Sequence, residues 1–286
     1  MKIKQYQKPG PSSVEAMRKL VKICQGYDKT FREPYLSNNL NFDVTMPVFF
    51  LAYEDKELLG FLAVYADDTE PELSIYVRPD VRRQGIARKL YQAYKNATAA
   101  FDLQTEYFVT ESIFIEKHPD FLKAWGLEPT GDVEILMERQ RQPFSIEKRE
   151  DCMVTLASMD HVEAIADFQA QAFGQGESDD RVRYAREAVE NPEQQLYIVI
   201  RHGEVVASCT VDTATDEDYL FGLAVAEECR HQGLGTYLVQ TVVNDRIQNG
   251  DKRVFQLAVD EENTPAKSLY QHLGFQALTE ITYLSV

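Results

Sequence analysis

Two α/β domains in tandem are what this sequence predicts, and three observations carry the expectation. The chain has 286 residues. At roughly 150 residues per domain, that length favours two domains, each large enough to bury a core of its own. Short apolar runs of strand character alternate along it with stretches whose apolar residues recur three and four apart, as on a helix. Finally, one shift of 148 residues carries Val77 onto Val225, Arg82 onto Arg230, Gly85 onto Gly233, Ala87 onto Gly235, Leu90 onto Leu238 and Gly126 onto Gly274. A single offset held over that distance marks an internal repeat. The polar, proline-containing run Gln140–Pro143 interrupts the pattern and sets the expected join, with domains spanning residues 1–141 and 142–286.

In the first half, Lys2–Lys8 reads as a short strand broken by Pro9-Gly10-Pro11. A helix follows with Met17, Leu20, Val21 and Cys24 on one face, and Ser12 with Glu15 fits a capping box at its start. Tyr27–Pro47 is rich in turn formers and reads as loop. Val48–Tyr53 and Leu58–Tyr65 form a hairpin about Glu54–Lys56. Glu72–Val77 is a strand that enters Arg78–Ala87, and the next helix carries Ile86, Leu90, Tyr94 and Ala97. A strand at Glu106–Thr110, a short helix at Pro119–Trp125 stopped by Gly126, and a strand at Asp132–Arg139 complete the half.

The second half repeats the plan. Asp160 and Glu163 are placed to cap a helix bearing Val162, Ile165 and Ala166, and Phe173–Pro192 reads as loop. Gln195–Arg201 and Val205–Asp212 make a hairpin around His202–Glu204. Tyr219–Val225 is the strand that enters the glycine turn. Arg253–Val259 is the next strand, Asn263–Phe275 contains a helix, and Glu280–Ser285 is the closing strand.

Composition narrows the function classes. With 44% hydrophobic residues the chain is ordinary globular material, and no apolar run approaches the roughly 18 residues a bilayer span requires. The start, Met1-Lys-Ile-Lys-Gln-Tyr, lacks the apolar stretch of a signal peptide. Cys24, Cys152, Cys209 and Cys229 lie far apart with no C-x-x-C pair, which points to free thiols in a reducing cytoplasm and to no metal site. A formal net charge of -16 argues against nucleic acid as the main partner, because phosphate contacts need clustered cations. The same charge suits a cationic or amine substrate.

The chemistry concentrates in Leu223-Ala224-Val225 and the turn Arg230-His231-Gln232-Gly233-Leu234-Gly235-Thr236, ahead of a helix with Tyr237, Leu238, Val242 and Val243 on one side. Strand, glycine-rich turn and helix start, in that order, make an anion site. The first N–H groups of a helix have no partner within it, and its dipole adds positive potential. Glycines admit backbone conformations that a Cβ forbids. The turn resembles the R-x-x-G-x-G/A signature of the GNAT acetyltransferase superfamily. Downstream, Asn263-x-x-Ala266-x-x-x-Tyr270-x-x-x-Gly274-Phe275 resembles that family's later N-x-x-A…Y-x-x-x-G-F motif.

The resemblance implies, for each half, a mixed, mostly antiparallel sheet flanked by helices. It implies acetyl-CoA as cosubstrate, with the pyrophosphate on Arg230–Thr236, the pantetheine arm along Leu223–Val225 and Asn263 nearby. It makes Tyr270 the general acid, and it places a carboxylate base near the start of the central strand, where Glu217 is the first candidate beside Asp218, with Asp260 in reserve. Backbone N–H groups near Val225 are candidates for the oxyanion. Cys229 beside His231 raises the alternative of a covalent route, although direct transfer is the family's habit. The first half keeps the loop, with Val77, Arg82, Arg83, Gly85, Ala87 and Arg88 as counterparts and Lys89 as a further cation. There, however, Ile115 stands in for Asn263, Leu122 for Tyr270 and His118 for Ala266. The expected activity is acetyl transfer to a small-molecule or peptide amine by the second half. The alternatives are an acyl-CoA-binding sensor without turnover and a transferase using another acyl donor. Acceptor selection falls to the loops Thr30–Pro47 and Phe173–Pro192.

Overall fold

A computed structural model describes residues 1–173, 178–249 and 253–286. The chain forms two compact units. One comprises Met1–Ile135 together with Thr279–Val286, and the other comprises Leu136–Leu278. The sequence places one join near residue 141, whereas the segment Thr279–Val286 belongs to the first unit.

The first unit contains β1 (Lys2–Tyr6), α1 (Pro11–Asp28), β2 (Phe49–Glu54), β3 (Glu57–Tyr65), β4 (Glu72–Val77), α2 (Ile86–Thr98), β5 (Tyr107–Glu111), α3 (Ser112–Lys117), α4 (Phe121–Trp125) and most of β6 (Glu128–Arg139). Phe49–Ala52 on β2 and Phe61–Val64 on β3 are buried residue after residue. Such runs form when helices cover both faces of a sheet, so period-two alternation disappears. Met17, Leu20, Val21 and Cys24 of α1 and Ile86, Leu90 and Tyr94 of α2 supply the covering faces. The start of α1 differs from expectation: Gly10 is the N-cap, no side chain caps it, and Pro11 occupies the first turn. Proline is suited to that position because its missing N–H would be unpaired there in any case. Ser112–Lys117, which the sequence pattern leaves as loop, adds a helix turn beside β5.

The second unit contains β7 (Met153–Leu156), α5 (Val162–Phe173), α6 (Ser178–Glu190), β8 (Gln194–Arg201), β9 (Glu204–Asp212), β10 (Asp218–Val225), α7 (Leu234–Gln248), β11 (Phe255–Asp260) and α8 (Thr264–His272); β12 (Gln276–Ser285) starts in it and ends in the first unit. The cap before α5 is Ser158, which forms a reciprocal box with His161, and not Asp160. The region read as loop, Phe173–Pro192, holds α6; residues 174–177 lie outside the described residues. No helix among the described residues is long and apolar enough to cross a membrane, and all four cysteines are free.

Strand order is β1-β2-β3-β4-β5-β12 in the first unit and β11-β10-β9-β8-β7 in the second. Neighbours whose registers are resolved run antiparallel except for β4–β5 and β10–β11, which are parallel. These two pairs touch only at their first residues, Glu72 with Tyr107 and Leu73 with Phe108, and Asp218 with Phe255 and Tyr219 with Gln256. Beyond them no ladder joins the strands, so the central strand of each unit has an unpaired flank. The mixed, mostly antiparallel sheet with flanking helices is thus present twice.

Candidate active site

In the second unit, β10 ends at Val225 and a one-turn 3₁₀ segment, Glu227–Cys229, leads into the glycine loop. Arg230 is extended (φ -66°, ψ 159°), while His231 and Gly233 are left-handed at φ 60° and 76°. Gly233 is the N-cap of α7 and no side chain caps that helix. Its first N–H groups are therefore left for an anion, as the strand-turn-helix order implies. Side chains around the loop serve to hold it. Gln232 accepts from Arg201 through Oε1 (2.6 Å) and donates to Glu228 O (2.9 Å), and its own carbonyl accepts from Arg149 (2.8 Å). Leu234 is buried, so only its backbone is available to a ligand. Arg230 is exposed and donates from Nε to Val225 O (3.1 Å). Among the described residues no carboxylate pairs with it.

Gly235 is closely packed on its side-chain face. A Cβ there would meet Val225 Cγ2 at 3.5 Å and Leu269 Cδ2 at 3.7 Å, so its small size lets α7 sit close to β10 and α8. Thr236 follows, half-buried in the same first turn.

The central strand carries a feature that the sequence pattern did not reveal. Its ladder with β9 slips between Phe221, opposite Thr210, and Ala224, opposite Ser208. Gly222 and Leu223 thus face Cys209 together, and Gly222 is left-handed at φ 62°. This is a β-bulge, which leaves its extra residue out of the ladder and frees backbone polar groups next to Leu223–Val225. The sequence signal is the lone glycine inside an apolar strand pattern.

Tyr270, on α8, is half-buried and meets Phe275 edge-on at 5.9 Å between ring centroids. Burial raises its phenol pKa above the ordinary value, and the neighbouring Cys209 and Tyr219 add to the rise. The group stays protonated at neutral pH, the form a general acid needs, and its neighbour Cys209 is the residue that faces Gly222 and Leu223 across the ladder. Asn263 caps α8 by accepting from Ala266 N–H at 3.2 Å. Of the carboxylates, Glu217 is half-buried immediately ahead of β10. Asp218 is fully buried and ion-paired with Arg246 at 3.0 Å, with Arg141 and Arg253 at 3.7 and 4.0 Å, so it anchors the fold. Asp260 accepts from Glu262 N–H in a turn (2.7 Å). Cys229 is buried on the 3₁₀ turn, and burial pushes the Cys209 thiol up to about 12.

The first unit repeats the loop backbone closely. Arg82 is extended (φ -65°, ψ 162°), Arg83 and Gly85 are left-handed at φ 64° and 79°, and Gly85 caps α2 with no side-chain help. Arg82 likewise donates to the strand carbonyl of Val77 at 2.9 Å. Its guanidinium, however, is held by Asp28 at 2.8 and 2.6 Å, and His118 also touches that carboxylate at 3.0 Å. Burial alone would raise the Asp28 pKa, but the Arg82 and His118 hydrogen bonds outweigh it and hold the carboxyl below its usual range. Ala87 follows Gly85 and Ile86 in the first turn of α2, and Arg88 lies over the Trp125 ring and donates to Ala124 O. The β3–β4 ladder runs unbroken from Glu72 to Val77. Where the second unit has Gly222, this one has Ser74, buried and bonded to the Arg32 guanidinium at 2.9 Å. The cleft between β4 and β5 encloses about 400 Å³.

Comparison with known proteins agrees with the repeat. The acetyltransferase (GNAT) family profile matches residues 162–275, and an acetyltransferase (GNAT) domain profile matches residues 47–119. The chain is a tandem, two-domain member of the GNAT acetyltransferase family. As such it is an acyl-CoA N-acyltransferase of the GNAT type. A relative in Bacillus subtilis (strain 168), named as a candidate [ribosomal protein bS18]-alanine N-acetyltransferase, is 28% identical over 121 residues, which span 42% of this chain and 76% of that protein. Two solved structures share the fold over nearly the full length. A GCN5-related N-acetyltransferase from Sphaerobacter thermophilus gives a TM-score of 0.72 at 18% identity, covering 99% of this chain and 95% of that one. A tandem GNAT protein from the clavulanic acid biosynthesis pathway gives 0.71 at 15%, covering 100% and 98%. Both GNAT domains keep the loop, and they differ in the partner of its arginine and in the regularity of the strand before it.

Proposed function

We propose that the second unit carries catalysis and transfers an acetyl group from acetyl-CoA to an amine by direct attack. The observation that carries this reading is the coincidence in one unit of three features: an uncapped glycine loop, a bulged central strand and a tyrosine kept protonated beside it. Acetyl-CoA supplies an activated thioester, so the chain needs only to position the partners and handle charge and protons. The N–H groups at Gly233–Gly235 receive the pyrophosphate, with Arg230 adding an unneutralised cation. A freed N–H of the Gly222–Leu223 bulge stabilises the negative charge that develops on the carbonyl oxygen. Glu217 takes a proton from the ammonium, directly or through water, and the neutral amine then forms a C–N bond to the thioester carbonyl carbon. Tyr270 gives its proton to the departing thiolate as the C–S bond breaks, and the proton released by the amine restores the balance.

The first unit is read as non-catalytic, because Ser74 and Arg32 occupy the place of the bulge and Leu122 that of the acid. Two CoA bound per chain would mark Val77, Arg82, Arg83, Gly85, Ala87 and Arg88 as a retained binding site, and one would mark that unit as scaffold. The negative net charge and the named activity of the Bacillus relative support an amine acceptor, small or at a peptide N-terminus, in the cytoplasm. The deciding test follows thiol release from acetyl-CoA against polyamines, aminoglycosides and peptide α-amines, with calorimetry of CoA binding. Turnover with any amine, lost in Gly233→Val, supports the reading. Tight CoA binding without turnover favours a sensor, and turnover with succinyl-CoA but not acetyl-CoA favours another donor.

A further inference from the structure

We infer that Ser208 and Gln169 are positioning residues that hold the β10 bulge open and aim its amide at the acyl carbonyl. The inference rests on the assignment of catalysis to the second unit. Ser208 lies on β9 and is fully buried, and its hydroxyl donates to Gly222 O at 3.3 Å. Gly222 sits where the β9–β10 register slips, so the hydroxyl serves as partner for a bulge carbonyl. A carbonyl taken out of the ladder is costly when it is left without a partner. The side chain removes that penalty and with it the drive to close the bulge.

The geometry has a direction. Gln169, from α5, donates its Nε2 to Ser208 Oγ at 2.9 Å. A hydroxyl has a single proton, so with a lone pair occupied by Gln169 that proton is left for Gly222 O. The chain of bonds therefore runs from amide to hydroxyl to carbonyl. Because a trans peptide sets its C=O and N–H on opposite sides, a Gly222 carbonyl turned toward β9 turns the Leu223 N–H away from β9. That is the flank where no ladder joins β10 to β11, since they pair only at Asp218 and Tyr219. The amide thus faces the unpaired flank of β10.

The first unit shows what happens without these partners. The same offset puts Gly60 where Ser208 stands and Ser74 where Gly222 stands, and there the ladder pairs from Gly60–Val77 to Tyr65–Glu72 without a slip.

The test reads the amide directly and needs no acceptor. Acetyl-CoA labelled with ¹³C at the thioester carbonyl is bound, and its stretching band is located by difference infrared spectroscopy. In the unaltered protein, hydrogen bonding from the bulge should lower the frequency relative to free acetyl-CoA. Ser208→Ala should return it most of the way to the free value, with CoA affinity by calorimetry within about twofold. Gln169→Glu, on a half-buried helix position that does not threaten folding, should do the same, because a carboxylate draws the Ser208 proton away from Gly222. Gln169→Leu, which removes only the donor, should shift the band less. A frequency unchanged in both Ser208→Ala and Gln169→Glu, with ligand bound, overturns the inference. Gly233→Val and Gly85→Val separate that result from failure of the underlying assignment. A shifted band lost only in Gly85→Val would place the ligand in the first unit, overturning the assignment and this inference with it.

Discussion

The two glycine loops have the same backbone and opposite surroundings. Arg82 and Arg230 agree within 3° in φ and ψ, and Gly85 and Gly233 within 3°. Yet Arg82 is neutralised by a buried aspartate, whereas Arg230 is exposed. The central strand beside the first loop is regular, and the one beside the second is bulged. A phosphate loop is coded by glycine positions and a helix start, which cost little to keep. The chemistry is coded by a few side chains and one strand slip, which can be absent while the loop stays intact. A loop motif alone therefore reports a fold, and the features around it report a function.

Four tests, built on five substitutions, probe that division. The largest effect is expected at Gly233→Val: a β-branched residue at φ 76° is strained by about 1–3 kcal/mol, and acetyl-CoA-dependent turnover should vanish. Gly85→Val carries the same strain and should leave turnover largely intact. The reverse pattern in thiol-release assays would exchange the roles of the two units. Next, Tyr270→Phe should lower kcat roughly 10²–10⁴-fold with CoA affinity unchanged. Full turnover in that protein would reduce Tyr270 to a packing residue.

The third test uses a charge that the second unit lacks. Glu72 stands where the repeat has the buried Leu220. Burial raises its pKa to about 7, against a smaller lowering by Arg32. A carboxyl whose folded pKa lies above its unfolded value near 4.3 adds little penalty at pH 4, where both states are mostly protonated. It costs the fold increasingly as pH rises through 7. Glu72→Gln should therefore raise Tm by a few degrees at pH 8 and have little effect at pH 4. A Tm gain equal at both values would mean that the charge is not the cause. The smallest effect is expected at Gly235→Ala, because Ala87 occupies the matching place and the added Cβ would make ordinary contacts at 3.5 and 3.7 Å. CoA affinity should change by less than about twofold, and a tenfold loss would mean that this Cβ does obstruct the ligand.

Much of this architecture is legible in the residues. Glu72–Val77 appears as a strand with the same bounds, and Asn263 caps the helix that its Thr-Pro sequel announces. Periodicity works for these elements because burial acts on whole faces. It is silent where long-range partners decide. Ser12 with Glu15 has a capping pattern, yet the chain begins its helix at Pro11. Asp218 looks like a candidate base until Arg246, contributed by α7, claims it. Ser208 and Gln169 carry no motif, since their meaning comes from a register slip between strands that no local spacing encodes. Asp28 likewise acquires its role only when α1 docks beside the loop.

The membership of Thr279–Val286 in the first unit has a consequence for how the chain is made. Ile281 to Leu284 pair with Glu111 to Phe108 on β5, and Ser112 meets Thr282 across 170 residues of sequence. Contacts of such separation close slowly, because loop entropy is lost before the pairing rewards it. At about 5–20 residues per second of synthesis, β5 waits roughly 10–30 s for its partner to leave the ribosome. Throughout that interval its edge offers unpaired N–H and C=O groups to any passing strand. The nascent first unit thus carries an open edge until its last strand arrives, and a chain cut before Thr279 lacks the residues that pair with β5.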